Sequence, residues 1–121
     1  GLCSRKQKGD ICDLEWKKSF ITKARTHKRD VIPCHINGRN SNWFYNLSRF
    51  RTKLGIKANI EMLYLVDEMF RQRGKEIVIT FGKPISYTTF DKSKTDITWA
   101  QVLKNHVYSL NKNKNSLFEV D

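Results

Sequence analysis

The stretch Asp30–Arg49, DVIPCHINGRNSNWFYNLSR, constrains this chain more than any other. Val31–Ile36 is a short apolar run with β-branched residues at Val31, Ile32 and Ile36, bounded by charge before it and Asn37-Gly38 after it. That pattern reads as a buried strand ending in a tight turn. Pro33 donates no ladder hydrogen bond, so the strand carries a bulge there or runs at an edge. Ser41 stands where a helix N-cap belongs, ahead of Trp43, Phe44, Leu47, Phe50 and Leu54 at helical spacing. Trp43 and Phe44 are read as core. A strand that empties through a polar turn into a helix N-terminus is a common ligand position, because unpaired N–H groups converge there.

The flanking elements follow from periodicity. Gly1–Asp13 reads as a loop. Leu14–His27 predicts a helix with Asp13 as N-cap, Trp16, Phe20, Ile21 and Ala24 inward, and late cations suited to its negative end. Gly55 ends the helix that begins after Ser41, and Asn59 opens another whose stripe is Ile60, Leu63, Val66 and Phe70, closed by Gly74. Glu76–Phe81 predicts a second strand, stopped by Gly82-Lys83-Pro84. Thr95 or Asp96 caps a last helix carrying Trp99, Val102, Leu103, His106, Val107 and Leu110. Residues 111–121 form a polar tail that frays. Strands alternating with helices define an α/β class, and two strands are too few for a free-standing parallel sheet. The expectation is therefore one domain portion, residues 1–110, with its N-terminal partner elsewhere in a longer chain.

Charge says what such a chain meets. Residues 1–57 hold 14 Lys/Arg against 4 Asp/Glu, whereas residues 58–121 hold 9 against 8. An anionic partner of the first half is implied: membrane headgroups, a phosphorylated ligand or nucleic acid. Two small polar clusters can grip an anion: Ser4, Arg5 and Lys6 after Gly1, and Gly38, Arg39, Asn40 and Ser41 at the helix start. Arginine clamps a planar anion through paired charged hydrogen bonds. A nucleic-acid-binding module is the alternative, supported by Lys23–Arg29, KARTHKR, but no recognition-helix or base-stacking pattern accompanies it.

Catalytic signatures are scarce. Cys34 and His35 are adjacent on a strand, so they face opposite ways and form no nucleophile–base pair. Cys3 and Cys12 lack the short paired spacing of a zinc site, and three cysteines imply no disulfide framework. His27 and His106 fall on helices as surface and packed residues. Acidic residues mostly fall at caps or on helix exteriors. No Walker loop or nucleophile elbow occurs. No apolar run approaches the ~20 residues that span a bilayer.

Read in order, Gly1-Leu2-Cys3-Ser4-Arg5, Asp13–Phe20, Val31–Ile36, Gly38–Ser41 with Phe44-Tyr45, and Phe81–Ile85 resemble bacterial lysophospholipid acyltransferases of the glycerol-phosphate acyltransferase superfamily. The hemolysin-like branch, similar to lyso-ornithine-lipid acyltransferases, is nearest. The resemblance implies the C-terminal portion of a glycerolipid-acyltransferase-like mixed sheet flanked by helices. It implies a lyso-lipid acceptor, an acyl thioester donor on coenzyme A or acyl carrier protein, no bound cofactor and no nucleic acid. It also implies peripheral attachment to an anionic membrane surface on the cytoplasmic face. By the same resemblance Gly1, Ser4 and Arg5 are the remnant of the acceptor-binding block, and Val31–Ile36, with Pro33 and His35, is the apolar Pro-containing block. The implied substrate site is thus Gly1, Ser4, Arg5, Lys6, Pro33, His35, Gly38, Arg39 and Asn40. The family's H-x-x-x-x-D block has no counterpart: His27, His35 and His106 are followed at the required position by Ile32, Asn40 and Asn111. This stretch alone is therefore expected to be inactive.

Overall fold

The computed structural model describes residues 4–7 and 10–119, with the backbone alone described at 5–7 and 10. Helices mix with short antiparallel strand pairs, an arrangement compatible with the α/β expectation. The elements are β1 (Arg5–Gln7), β2 (Asp10–Cys12), α1 (Ser19–Thr26), β3 (Cys34–Asn37), α2 (Asn42–Lys53), α3 (Leu65–Arg71), β4 (Val78–Phe81) and α4 (Asp96–Lys112). A 3₁₀ turn at Ile60–Tyr64 leads directly into α3, and another lies at Tyr87–Thr89. The chain divides into two compact units: one is the segment up to Leu14 with Gly38–Glu76, the other Glu15–Asn37 with the chain from Ile77 onward.

In the first unit the segment expected to be a loop contains an antiparallel pair, β1 with β2, in which Arg5 opposes Cys12 and Gln7 opposes Asp10. Three-residue strands carry too little periodicity to register in a sequence. β1 lies beside α2. Ser41 caps α2 as expected: its backbone is extended and its hydroxyl accepts the Phe44 N–H at 3.3 Å. Gly55 and Gly74 both adopt positive φ, +72° and +77°, the left-handed conformation that ends a helix and that a Cβ disfavours.

The faces of this unit follow the expectation at Phe44 and depart from it at most other positions. Phe44 and Tyr45 are buried edge-to-face, but Trp43, Phe50 and Leu54 are exposed. So are Leu63 (80% exposed), Val66 and Phe70, which were read as an inward stripe. Glu61 and Glu68, expected on the exterior, are 4% and 2% exposed. Buried carboxylates persist because each is answered. Arg51, itself buried, places Nη2 2.9 Å from Glu61 Oε1 and Nε 2.7 Å from Oε2, the latter an ion pair whose angle misses a hydrogen bond. Ser48 adds a hydroxyl at 3.1 Å, and Arg51 Nη1 donates to the Ile56 carbonyl at 2.8 Å. Polar partners thus decide which side of these short helices faces inward, and apolar periodicity alone cannot see them.

The second unit is conventional in its packing. Ile21, Ile85, Phe90, Trp99, Ala100 and Leu103 form its core, with Trp16, Phe20, Val31, Val102 and Phe118 packed around them. Phe90 meets Trp99 edge-on at 5.7 Å, and Trp99 Nε1 donates to the Asp91 carbonyl at 3.1 Å. Truncating a buried aromatic of this kind typically costs about 3–5 kcal/mol. Thr95 caps α4 through its hydroxyl, which accepts the Thr98 N–H at 3.2 Å. α1 is tied to α4 at Asp96, which accepts from Thr22 Oγ1 at 2.6 Å and Arg25 Nη2 at 2.7 Å.

Helix α1 begins at Ser19, with Lys18 rather than Asp13 at the N-cap position. Trp16 lies ahead of the helix: its carbonyl accepts Gln101 Nε2 at 3.0 Å and its ring meets Phe20 edge-on. Tertiary contacts therefore replace the expected first turn. The strand expected over Val31–Ile36 is interrupted. Val31 makes an isolated bridge with Ile85, and the ladder resumes only at Cys34, opposite Phe81. Two residues, Ile32 and Pro33, thus face three, Gly82–Pro84. That is the irregularity Pro33 foretold, with Gly82 N–H donating to the Pro33 carbonyl at 2.8 Å. The partner strand starts at Val78 rather than Glu76. Beyond α4, Phe118 folds back against Trp99, Phe90 and His106. Among the described residues no helix is long and apolar enough to cross a membrane.

Candidate functional site

The turn Gly38–Ser41 and the start of β1 lie in the same unit, and one side chain links them. Tyr45, 4% exposed, sits one helical turn into α2. Its Oη accepts the Asn40 N–H at 3.3 Å and lies 3.3 Å from Ser4 Oγ. A phenol has a single proton to give, and it is not needed for Asn40, so it is available to the Ser4 hydroxyl. Local sequence explains the reach: Asn40 directly precedes the N-cap, and Tyr45 lies five residues on, one turn into the helix. Ser4 and Asn40, expected in two separate loops, thus meet at one hydroxyl.

The other side of the turn is held by α3. The Ser41 hydroxyl donates to Glu68 Oε1 at 2.6 Å, and the Ser41 N–H donates to Oε2. Gln72, one turn further along, donates its Nε2 proton to the Arg39 carbonyl at 3.0 Å. Burial alone would push the Glu68 carboxyl up. The Ser41 hydroxyl and N–H, then the charges of Arg71 and Lys75, outweigh it and hold the carboxyl below its usual range. The N-terminus of α2 is therefore already matched by a carboxylate of its own chain. What the turn offers a ligand is Arg39, which is exposed and whose guanidinium makes no hydrogen bond or ion pair with any described residue. A guanidinium so placed suits a planar anion such as a carboxylate.

The remaining candidates fall as follows. Gly38 is exposed and Asn40 half-buried. Arg5 and Lys6 contribute backbone to β1, and their side chains lie outside the described residues, as do Gly1 and Cys3. Pro33 and His35 belong to the second unit. Pro33 is buried beneath Gly82, where a Cβ would approach Pro33 Cγ to 2.8 Å. His35 packs edge-on to Tyr108 at 6.3 Å. His106 is buried against Phe118, and burial lowers its pKa. Cys12 and Cys34 are free thiols, and among the described residues no three metal-ligating side chains come together.

Sequence reasoning missed Tyr45, Glu68 and Gln72 as builders of the turn. One signal was available for Glu68: it lies seven residues after Glu61, nearly two helical turns, so the two acids share a side opposite the apolar residues. Only their partners in the fold identify that side as the inner one.

Residues 1–117 match the family described as Acyltransferase, and the chain belongs to that family. This agrees with the resemblance to bacterial lysophospholipid acyltransferases. Among its relatives is the lyso-glycine lipid O-acyltransferase of Bacteroides thetaiotaomicron, 60% identical over 110 residues, covering 91% of this chain and 40% of the relative. The lyso-glycine lipid O-acyltransferase of Phocaeicola vulgatus is 57% identical over 110 residues, covering 91% of this chain and 39% of the relative. The chain thus spans about two fifths of the length of these curated relatives. No solved structure matches.

Proposed function

We propose that this chain is the acceptor-binding part of an enzyme that moves a fatty acyl group from an acyl thioester to the hydroxyl of a lyso-lipid, with a glycine-derived polar end as the preferred acceptor. The observation that carries this reading is identity of 57–60% with lyso-glycine lipid O-acyltransferases across nine tenths of the chain. In the reaction the acceptor oxygen bonds to the acyl carbonyl carbon, the carbon–sulfur bond breaks, and the thiol leaves with the proton a base has taken from the hydroxyl. In our reading the base comes from sequence outside these residues, since no histidine here is followed by aspartate at the family's spacing. This segment supplies grip: Arg39 on the turn set by Tyr45 holds the carboxylate of a glycine head.

Residues 1–110 are read as the C-terminal part of a single acyltransferase domain. The exposed apolar residues of α3 in one unit, and separately Ile36, Ile79 and Phe81 on the β3–β4 pair in the other, support that reading, because a monomeric domain rarely leaves an apolar patch uncovered. The domain works peripherally on the cytoplasmic face of an anionic membrane, drawn there by the basic excess of residues 1–57. The donor is an acyl group on coenzyme A or acyl carrier protein. The test is acyl transfer by the intact enzyme to lyso-glycine lipid and to lysophosphatidic acid, with either thioester. Arg39→Ala is expected to raise the acceptor KM and leave the donor KM unchanged. Transfer to neither lipid, or an oligonucleotide bound tightly with steep salt dependence while anionic vesicles are ignored, would overturn the reading.

A further inference from the structure

Glu68 lies 29 residues after Arg39, on a different helix, and its two carboxylate oxygens are both spent on Ser41. Gln72, the C-cap residue of the same helix, holds the Arg39 carbonyl. From this we infer that Glu68, seconded by Gln72, is a positioning residue for acceptor recognition: α3 fixes the backbone of Arg39–Ser41 and so the place from which the Arg39 guanidinium reaches the lipid's anionic end. The inference rests on the acceptor-site reading of that turn.

The physical case is one of constraint. A glycine-led turn such as Gly38–Ser41 has many conformations open to it, and each unfixed residue costs binding free energy when a ligand orders it. Three of its backbone groups are fixed from outside: the Asn40 N–H by Tyr45, the Ser41 N–H by Glu68, and the Arg39 carbonyl by Gln72. The two ties from α3 flank the residue before the N-cap, so α3 sets the direction in which residue 39 leaves the turn. A merely structural carboxylate would be expected to bind the helix end alone. Here Gln72, the C-cap residue of the same helix, also holds the residue that faces solvent with a guanidinium engaged by no described residue.

The experiment is steady-state kinetics on the intact enzyme with Glu68→Gln, Glu68→Asp, Gln72→Ala, Arg39→Ala and the double variant Arg39→Ala/Glu68→Gln, using lyso-glycine lipid and acyl thioester. Glu68→Gln is expected to raise the acceptor KM about tenfold, the scale of one lost charge-assisted hydrogen bond, with donor KM and kcat within about twofold. Gln72→Ala gives a smaller rise in the same parameter. The double variant is expected to be no worse than Arg39→Ala alone, because Glu68 acts only through Arg39. Glu68→Asp can still bond one of the two Ser41 donors and recovers part of the loss. Equal losses in every kinetic parameter, or additive effects in the double variant, would overturn the inference while leaving the site standing. Unchanged acceptor KM in Arg39→Ala would instead remove the site, and the inference with it. Should Glu68→Gln fail to fold, Gln72→Ala against Arg39→Ala decides the matter by the same comparison.

Discussion

Replacing Glu61 with Gln tests the least expected feature of the fold, a buried ion pair where an apolar stripe was anticipated. The substitution keeps shape and removes charge. Arg51 and Glu61 side chains are 6% and 5% exposed, so neither charge has water to fall back on. In the native fold the guanidinium faces Glu61 through Nε at 2.7 Å and Nη2 at 2.9 Å, and the Ile56 carbonyl through Nη1 at 2.8 Å. Glu61→Gln leaves a full positive charge buried against a carbonyl and an amide oxygen. Breaking such a pair from one side typically costs about 3–5 kcal/mol, a large share of the ~5–15 kcal/mol that holds a domain folded. Arg51→Met leaves the opposite charge without a counter-ion, held by the Ser48 hydroxyl and a backbone N–H, and costs a similar amount. The double variant Arg51→Met/Glu61→Leu strands no charge, so most of the loss is recovered. Urea unfolding of the intact chain, followed by circular dichroism with a common slope, reads all three. Single-variant losses below ~1 kcal/mol, or a double variant whose loss equals the sum of the singles, would refute the claim that these carboxylates point inward because they are paired.

Two further outcomes follow from local geometry and titration. Lys28 sits at φ +50° just past α1, where Arg29 N–H closes onto the Ala24 carbonyl and Lys28 N–H onto Arg25, so a side chain occupies a position suited to glycine. Lys28→Gly should raise stability by about 0.5–1 kcal/mol, the left-handed cost relieved less the entropy glycine adds to the unfolded chain, and a lower melting temperature would contradict it. The pKa values of Glu61, Glu68, Asp96 and His106 are all lowered in the fold, the carboxylates by hydrogen bonds and charges that outweigh the upward push of burial, and His106 by burial. A depressed folded pKa means the unfolded chain binds more protons, so stability is complete above the unfolded values and is lost as pH falls. Loss should begin below about 6.5 through His106 and deepen below about 4.5 through the glutamates, and His106→Phe should erase the first step only. A melting temperature flat from pH 7 to 5 in the parent would show that the imidazole is not held neutral.

Much of the plan was legible in residue order because it depends on neighbours in sequence. Ser41 and Thr95 cap their helices, Gly55 follows the C-cap of its own, Gly74 takes its left-handed place in the turn just past α3, Pro33 breaks its strand, and the α4 stripe from Trp99 to Leu110 is the buried one. Each of these is a local matter of hydrogen-bond supply, backbone freedom or helical spacing. The basic first half and the Gly38–Ser41 turn were likewise evident from composition and pattern.

What only the tertiary structure decided is which groups meet across long separations. Ser4 and Tyr45 are 41 residues apart, Ser41 and Glu68 27, and Thr22 and Asp96 74. From Ile60 to Arg71 this reversed the reading: four apolar residues at helical spacing outvote two glutamates when counted along the chain. Inside the fold, a carboxylate that finds Arg51 or Ser41 has its desolvation cost offset, and its side of the helix turns inward. Sequence spacing tells which residues share a face; the partners that wait for that face are set by the fold.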